Sequence, residues 1–180
     1  MIIGITGGTG CGKTTLLDEL KKLGAMVLDC DAIYHQLLAT DSGLLDAIKN
    51  RFPGTVENGV LQRKKLGSLV FSDEKALQDL NRITHAAIRA EVLQRLESKP
   101  TLAAIDAIAL FESGLAELCD VTVAVIAPEE IRVQRIMARD GISADYARSR
   151  IAVQKRDDWF RANCDYVLEN DGEKEAFQTK

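Results

Sequence analysis

The sequence lacks the features of secreted, membrane-spanning and nucleic-acid-binding proteins. It has four cysteines, dispersed and without a C-x-x-C pair, and no apolar run approaches the length of a membrane span. Met1 leads directly into a predicted strand, so we expect no secretory leader. We therefore expect a cytoplasmic protein with free thiols and no membrane partner.

Basic residues are not in excess either. The chain has 23 Lys and Arg against 27 Asp and Glu, a net charge of -4, whereas nucleic-acid surfaces usually carry a basic excess. We expect no nucleic-acid partner, and a phosphorylated ligand would need a local basic cluster. The 180 residues, 46% of them hydrophobic, suffice for one compact domain, which we expect to act as a monomer.

The strongest motif is the run GGTGCGKT at 7–14, which matches the phosphate-binding pattern G-x-x-x-x-G-K-[ST] in full. A short β-branched run precedes it, and a helical pattern ending at Gly24 follows it. Glycine-rich backbone presents a row of N–H groups to phosphate, and the next helix points its positive end at the same anion. The predicted nucleotide-binding residues here are Gly8, Thr9, Gly10, Cys11, Gly12, Lys13, Thr14 and Thr15.

Two residues of this loop have separate predicted roles. Lys13 reaches the β and γ phosphates of ATP, and the Thr14 hydroxyl is a ligand of the Mg²⁺ that bridges them. ATP and Mg²⁺ are therefore the expected cofactors, and Lys13 is a catalytic candidate. A thiol at a helix N-terminus also has a reason to be acidic, which makes Cys11 a candidate for oxidation. The alternative is a glycine-rich turn that caps a helix and binds nothing.

Carboxylates follow or interrupt two predicted strands. After the strand at 25–28, Asp29 and Asp31 fall on one side of an extended segment, which makes Asp31 a candidate general base or indirect magnesium ligand. Either aspartate can instead cap the next helix. Asp106 lies in the apolar run 101–110, so it is either a Walker B-like acid near magnesium or a structural acid bonded to backbone donors.

The region 32–71 is predicted to be a helix-rich insertion that carries substrate contacts. Its basic triplet, Arg63 to Lys65, either meets an anionic substrate or forms a solvated helix face. A helix capped by Ser72 is predicted to run to about Leu96. Asn81 and His85 share one face of that helix, and we expect His85 to position substrate or backbone rather than to move protons.

Arginines gather late in the chain, after a predicted strand at 121–127 and its following helix. They flank the loop 140–143, a pattern typical of a lid that closes over phosphates. We assign phosphate contact to Arg139, with Arg148 as a second candidate, and expect several others to pair with nearby acids. A last strand at 164–168 ends beside the loop, so Asn170 is predicted either to face adenine or to be an ordinary turn residue.

Strands that alternate with helices, with the phosphate loop in the first unit, predict an α/β fold. We expect a P-loop nucleoside triphosphate hydrolase-like parallel sheet covered by helices, with a helical substrate-binding insertion and an arginine-rich lid. A further helix is predicted at 173–180.

In order along the chain, several segments resemble those of dephospho-CoA kinases: GITGGTGCGKT, DCD, LQRKKLGSLVF leading into LNRITH, DAIALFESGL, RIMARDGIS and CDYVLEND. The resemblance implies transfer of the γ-phosphate of MgATP to the ribose 3′-hydroxyl of dephospho-CoA, the final step of coenzyme A synthesis. It also implies one P-loop kinase domain: a core at about 1–31, 100–134 and 162–180, a helical CoA-binding region at about 32–99 and a lid at about 135–161.

The same resemblance implies roles for individual residues. Asp31 matches the general base, Arg139 a lid residue that contacts ATP, and Asn170 a position near adenine. Dephospho-CoA itself is expected to meet Asp31, Arg63, Asn81 and His85. Relatives usually extend the last helix, so the C-terminus is expected to be shortened.

Two departures from the family pattern are Ala86 and Ala109, where proline is frequent. They affect local backbone shape rather than chemical groups. Two other functions stay open from the residues alone. One is a P-loop kinase with a nucleoside monophosphate or other small metabolite as acceptor; the other is a non-catalytic nucleotide switch, although no guanine-reading N-K-x-D is present.

Overall fold

The computed structural model describes residues 1–172 and 177, and strands alternate with helices through this range. The elements, in chain order, are β1 (Ile2–Thr6), α1 (Lys13–Lys22), β2 (Met26–Asp29), α2 (Cys30–Thr40), α3 (Ser42–Arg51), β3 (Val56–Glu57), β4 (Val60–Leu61), α4 (Arg63–Phe71), α5 (Glu74–Leu96), β5 (Ala103–Asp106), a 3-10 helix (Leu115–Leu118), β6 (Val121–Ile126), α6 (Glu129–Asp140), α7 (Ala144–Ala152), α8 (Asp157–Asn163) and β7 (Tyr166–Glu169).

Five of the strands form one sheet in the order β2-β5-β1-β6-β7. The β1–β5, β1–β6 and β6–β7 pairs are parallel, so their carboxyl ends meet at one edge. Consecutive residues of the central strands are buried, so both faces of the sheet are covered, as in a helix-covered parallel sheet; Ile5, Ala104 and Val125 have no exposed surface. The predicted α/β fold is confirmed.

The chain divides into two units. The first contains Met1–Val27, Pro100–Leu110 and Ala116–Lys180, and the second contains Leu28–Lys99 and Phe111–Leu115. We call them the nucleotide unit and the helical unit. None of the helices in residues 1–172 is long and apolar enough to cross a membrane. The predicted helix at 173–180 lies outside the described residues, apart from Phe177.

The helical unit corrects one predicted helix start. Asp73, not Ser72, caps α5, because its carboxylate accepts from the N–H groups of Lys75 (2.9 Å) and Ala76 (3.1 Å). The Ser72 hydroxyl donates instead to a backbone carbonyl of α4. The predicted end of the helix at Leu96 is confirmed.

Two predicted strands end differently from expectation. The expected strand at 101–110 is β5 alone, so Asp106 ends the strand rather than interrupting it. Likewise β2 ends at Asp29, which caps α2 by accepting from the Ala32 N–H at 3.0 Å. Asp31 lies in the first turn of that helix, so the prediction that both aspartates share one face of an extended segment is wrong.

Candidate functional site at the phosphate-binding loop

The loop between β1 and α1 has positive φ angles at three glycines, Gly7, Gly10 and Gly12. Gly7 has φ 134°, and a Cβ there would lie 2.2 Å from the Val125 carbonyl oxygen. Gly12 has φ 89° immediately before α1, and a Cβ there would lie 2.1 Å from Nδ2 of Asn170. The glycines therefore allow close approach of neighbouring groups as well as the left-handed backbone.

Lys13 and the threonines begin α1 on the open side of this loop. The Lys13 ammonium donates to the Gly7 carbonyl at 3.1 Å, which holds the charge over the loop. Thr14 is exposed and Thr15 partly buried. Since α1 has no acid in its first turn, its free N–H groups and its positive end are available to an anion.

Thr9 is bonded through all three of its polar groups. Its N–H donates to Oε1 of Gln154 (3.0 Å), its carbonyl accepts from Nε of Arg132 (2.9 Å), and its hydroxyl accepts from the Arg139 guanidinium (3.3 Å). These side chains come from α6 and from the turn after α7. Thr9 itself is buried.

Cys11 is held from the other side of the loop. Asn170, which follows β7 and is buried, donates from Nδ2 to the Cys11 carbonyl at 2.9 Å. Arg135 donates to Oδ1 of Asn170 at 3.0 Å and to the Gly10 carbonyl at 3.4 Å. Asn170 thus lies beside the loop. Its amide nitrogen donates to the loop and its amide oxygen accepts from Arg135. A contact between this residue and adenine stays a prediction.

The structure argues against an acidic thiol at Cys11. Burial raises the pKa of Cys11 above its usual value, although the charges of Arg132 and Lys13 oppose the change. The side chain is 1% exposed and packs with Val125 and Ala127. Tertiary packing therefore outweighs the helix N-terminus, and the thiol stays protonated near neutral pH.

Arg139 is paired and exposed. Its Nε and terminal nitrogen donate to the two carboxylate oxygens of Asp140 at 2.6 and 2.9 Å, and Arg150 donates to the same carboxylate at 2.5 Å. The two guanidinium groups hold the pKa of Asp140 well below its usual range. Arg148, the second phosphate candidate, pairs instead with Glu130 at 2.9 Å.

The helical unit presents its predicted substrate residues differently. Asp31, Arg63 and Asn81 are exposed, and only His85 is half-buried. Burial lowers the pKa of His85, and a backbone hydrogen bond with Glu112 and the charge of that residue offset this only in part. The imidazole is therefore neutral near pH 7, suited to hydrogen bonding rather than to carrying charge.

Few protein groups are placed to hold a metal. Among residues 1–172 no group of three or more His, Cys, Asp or Glu has metal-binding spacing. Mg²⁺ in nucleotide sites usually takes one or two protein ligands and otherwise phosphates and water. Asp106 pairs in register with Ile5 at the edge where the loop begins, and the Thr14 hydroxyl is exposed, so these two residues fit such a site.

Three residues that bind the loop are not predicted by the sequence analysis. Arg132 and Arg135 were grouped with the other arginines, although their spacing with Arg139 (i, i+3, i+7) places all three on one face of α6. That spacing was a usable signal. Gln154 carries no sequence signal, because its partner Thr9 is 145 residues away.

A phosphate-binding loop at the centre of a parallel sheet, faced by arginines of a later helix, defines a P-loop kinase. The family model described as dephospho-CoA kinase matches residues 1–176. The chain belongs to the dephospho-CoA kinase family and is a phosphotransferase.

Individual proteins support this assignment. A dephospho-CoA kinase of Syntrophotalea carbinolica is 38% identical, over 97% of this chain and 86% of the relative. A crystal structure of a Thermus thermophilus protein is 35% identical with a TM-score of 0.84, and a dephospho-CoA kinase structure from Campylobacter jejuni is 26% identical with a TM-score of 0.68. Each of these alignments covers 99% of this chain and 92% of the other. The predicted function, ATP-dependent phosphorylation of dephospho-CoA, is thereby confirmed at the level of the family.

Proposed function

We propose that this chain transfers the γ-phosphate of ATP to the ribose 3′-hydroxyl of dephospho-CoA, giving coenzyme A and ADP. The observation that carries the proposal is the phosphate-binding loop of a dephospho-CoA kinase family member, with Thr9 and Cys11 each held by side chains from elsewhere in the nucleotide unit. Phosphoryl transfer depends mainly on positioning and on neutralising charge, and a fixed loop supplies the first.

The nucleotide unit contributes the charge. In the proposed reaction Lys13 binds the β and γ phosphates. The exposed guanidinium of Arg139 contacts the transferred group, either after its ion pair with Asp140 breaks or while it keeps part of that pair. Both cations stabilise the negative charge that spreads over the oxygens in the transition state. Asn170 lies next to adenine while its side-chain amide stays on the loop.

The acceptor chemistry is assigned to Asp31. A bond forms between the ribose 3′-oxygen and the γ-phosphorus as the bond to the β,γ-bridging oxygen breaks, and the hydroxyl proton passes to the Asp31 carboxylate. Asp31 is exposed in the first turn of α2, so a bound hydroxyl can reach it. Arg63 meets the phosphates of dephospho-CoA, while Asn81 and neutral His85 donate hydrogen bonds to it.

Thr14 and, through Asp106, the end of β5 would hold Mg²⁺ together with the nucleotide. The ion supplies charge neutralisation at the β and γ phosphate oxygens. Asp31 is a further candidate for water-mediated contact with it.

We also propose a monomer that acts in the cytoplasm on small molecules and not on nucleic acid. The net charge of -4 and four free cysteines support this setting. Sedimentation equilibrium of the purified protein tests the oligomeric state, and a mass of twice the 19.7 kDa chain would reject the monomer.

Product analysis tests the function. ADP release is measured with MgATP and dephospho-CoA, and in parallel with AMP, CMP or shikimate as the acceptor, and each product is checked by mass for one added phosphate. We expect turnover with dephospho-CoA alone. Turnover confined to another acceptor would replace the proposed substrate, and tight ATP binding without any turnover would favour a nucleotide switch.

A further inference from the structure

Thr9 is the point at which the phosphate-binding loop is joined to α6 and α7. Gln154 and Arg132 bind its N–H and carbonyl, and they also bind each other, because Arg132 donates to Oε1 of Gln154 at 2.8 Å. The three residues form a closed ring of hydrogen bonds. We call Arg132 and Gln154 the Thr9 clamp.

Both halves of the clamp have fixed backbones. Arg132 lies in the first turn of α6, and Gln154 is set by a turn in which its N–H donates to the Ile151 carbonyl at 3.0 Å. Ile151 packs in one apolar core with residues of α6, chiefly Val133 and Ile136. The clamp therefore holds Thr9 against a packed pair of helices rather than against mobile side chains.

The clamp also explains a glycine and contains a buried arginine. A Cβ at Gly8 would lie 2.3 Å from a terminal nitrogen of Arg132 and 2.8 Å from Oε1 of Gln154. Arg132 is 5% exposed, and within residues 1–172 its hydrogen bonds go to an amide oxygen and a carbonyl rather than to a carboxylate. Its guanidinium is thus not hydrogen-bonded to a carboxylate beside the loop, although acidic residues such as Asp157 line the same cavity as Arg132.

We propose that Arg132 and Gln154 are positioning residues that fix the Thr9 peptide in its phosphate-binding conformation before ATP arrives. Thr9 lies between Gly8 and Gly10, so without the clamp this peptide would sample many conformations and ATP binding would have to order it. Arg139 donates to the Thr9 hydroxyl, so the clamp also sets the starting position of that guanidinium. The inference rests on the proposed function, since it concerns how the same loop receives ATP.

The test compares Gln154→Leu, which removes the acceptor, with Gln154→Glu, which keeps an acceptor for both donors. Gln134→Leu, on the exposed side of α6, is the matched control. In Gln154→Leu we expect the KM for ATP to rise roughly 5- to 30-fold, the equivalent of ordering one free residue, while the KM for dephospho-CoA is unchanged. Gln154→Glu keeps both hydrogen bonds but pairs the Arg132 charge, so we expect a smaller rise in the KM for ATP than in Gln154→Leu, and Gln134→Leu matches the wild type.

A second readout needs no substrate. In the nucleotide-free protein the Thr9 amide proton, measured by hydrogen exchange with NMR detection, exchanges faster in Gln154→Leu than in the wild type. If the leucine variant does not fold, Gln154→Asn carries the same test, because its shorter amide cannot reach both donors. Unchanged Thr9 exchange together with an unchanged KM for ATP would overturn the clamp. A wild-type protein that does not phosphorylate dephospho-CoA would reject the proposed function instead, and the exchange measurement would still decide on the clamp.

Discussion

The nucleotide unit and the helical unit hold their functional groups in different ways. In the nucleotide unit Thr9, Cys11 and Asn170 are buried, and each is bonded to side chains far away in sequence. In the helical unit Asp31 and Asn81 are exposed. Under the proposed function, the ATP site would be ordered before its ligand binds, whereas the groups proposed for dephospho-CoA would be ordered by the substrate.

Two arginines of α6 differ from the ion-paired arginines of both units. Arg132 and Arg135 donate to backbone carbonyls and amide oxygens of the nucleotide unit. Arg139 of the same helix pairs with the Asp140 carboxylate, as arginines of the helical unit do with Asp79. A carboxylate neutralises a guanidinium and a carbonyl does not, so these two arginines leave positive charge beside the phosphate-binding loop.

The largest expected effect comes from Asp31, an exposed residue of the helical unit. It tests whether a group that is not held by other side chains can still be essential for the reaction. Asp31→Asn should lower kcat by roughly 10²- to 10⁴-fold, because the ribose hydroxyl loses its proton acceptor, while the KM for ATP stays unchanged. Steady-state kinetics with both substrates measures this. Asp46→Asn, an exposed aspartate of α3, is the control and should behave as wild type. Unchanged turnover in Asp31→Asn would remove this residue from the mechanism.

Lys13→Met tests the phosphate-binding loop of the nucleotide unit. The ammonium that now lies 3.1 Å from the Gly7 carbonyl is lost, and we expect kcat to fall about 10²- to 10³-fold through lost stabilisation of the transferred phosphate. Lys21→Met removes an exposed ammonium from the last turn of the same helix and should leave kcat unchanged. Equal activity of the two variants would show that the loop charge does not contribute to the reaction.

Asn170→Ala should have a smaller effect, divided between stability and binding. The change removes the 2.9 Å donor of the buried Cys11 carbonyl and the Oδ1 acceptor of Arg135, and we expect a loss of about 1–3 kcal/mol in the free energy of unfolding. Urea denaturation measures that loss, and the KM for ATP should rise in parallel. Asn163→Ala, at the exposed end of α8, removes a bond to the Trp159 carbonyl and serves as control. A loss no larger than in that control would mean that Asn170 does not hold the loop.

Much of the nucleotide unit could be predicted because its signals are contiguous. The residues 7–14 carry their chemistry in order along the chain, and the flanking strand and helix follow from short-range patterns. Bonds to Thr9 from Arg132 and Gln154 join residues more than 100 positions apart, so only the fold reveals them. The pKa of the Cys11 thiol could not be predicted for the same reason. It depends on the burial of the side chain, which a local helix argument does not include.

The other prediction errors came from helix starts that were misplaced by one or two residues. Ser72 and Asp73 are both good capping residues, and a shift of one position changed which side chain bonds the first turn of α5. Asp29 and Asp31 looked equivalent because both were expected to lie in one extended segment after the strand at 25–28. Once α2 begins at Cys30, one carboxylate caps the helix and the other is left exposed.

The smallest expected effect concerns His85 and the pH dependence of stability. Burial holds the pKa of His85 below its ordinary value of 6.5, and Glu112 offsets this only in part. A base with a lowered folded-state pKa binds fewer protons folded than unfolded. Its neutral form therefore supports stability fully above about pH 6.5, and that support weakens as the pH falls toward the folded-state pKa.

His85→Gln keeps a polar side chain and removes this titration. The free energy of unfolding, measured by urea denaturation between about pH 7.5 and 5.5, should fall less steeply in this variant than in the wild type. The comparison between the two units predicts this outcome, because in the helical unit His85 alone among the proposed substrate residues is half-buried. If His85→Gln kept the wild-type slope, His85 would be as open to solvent as Asp31 and Asn81.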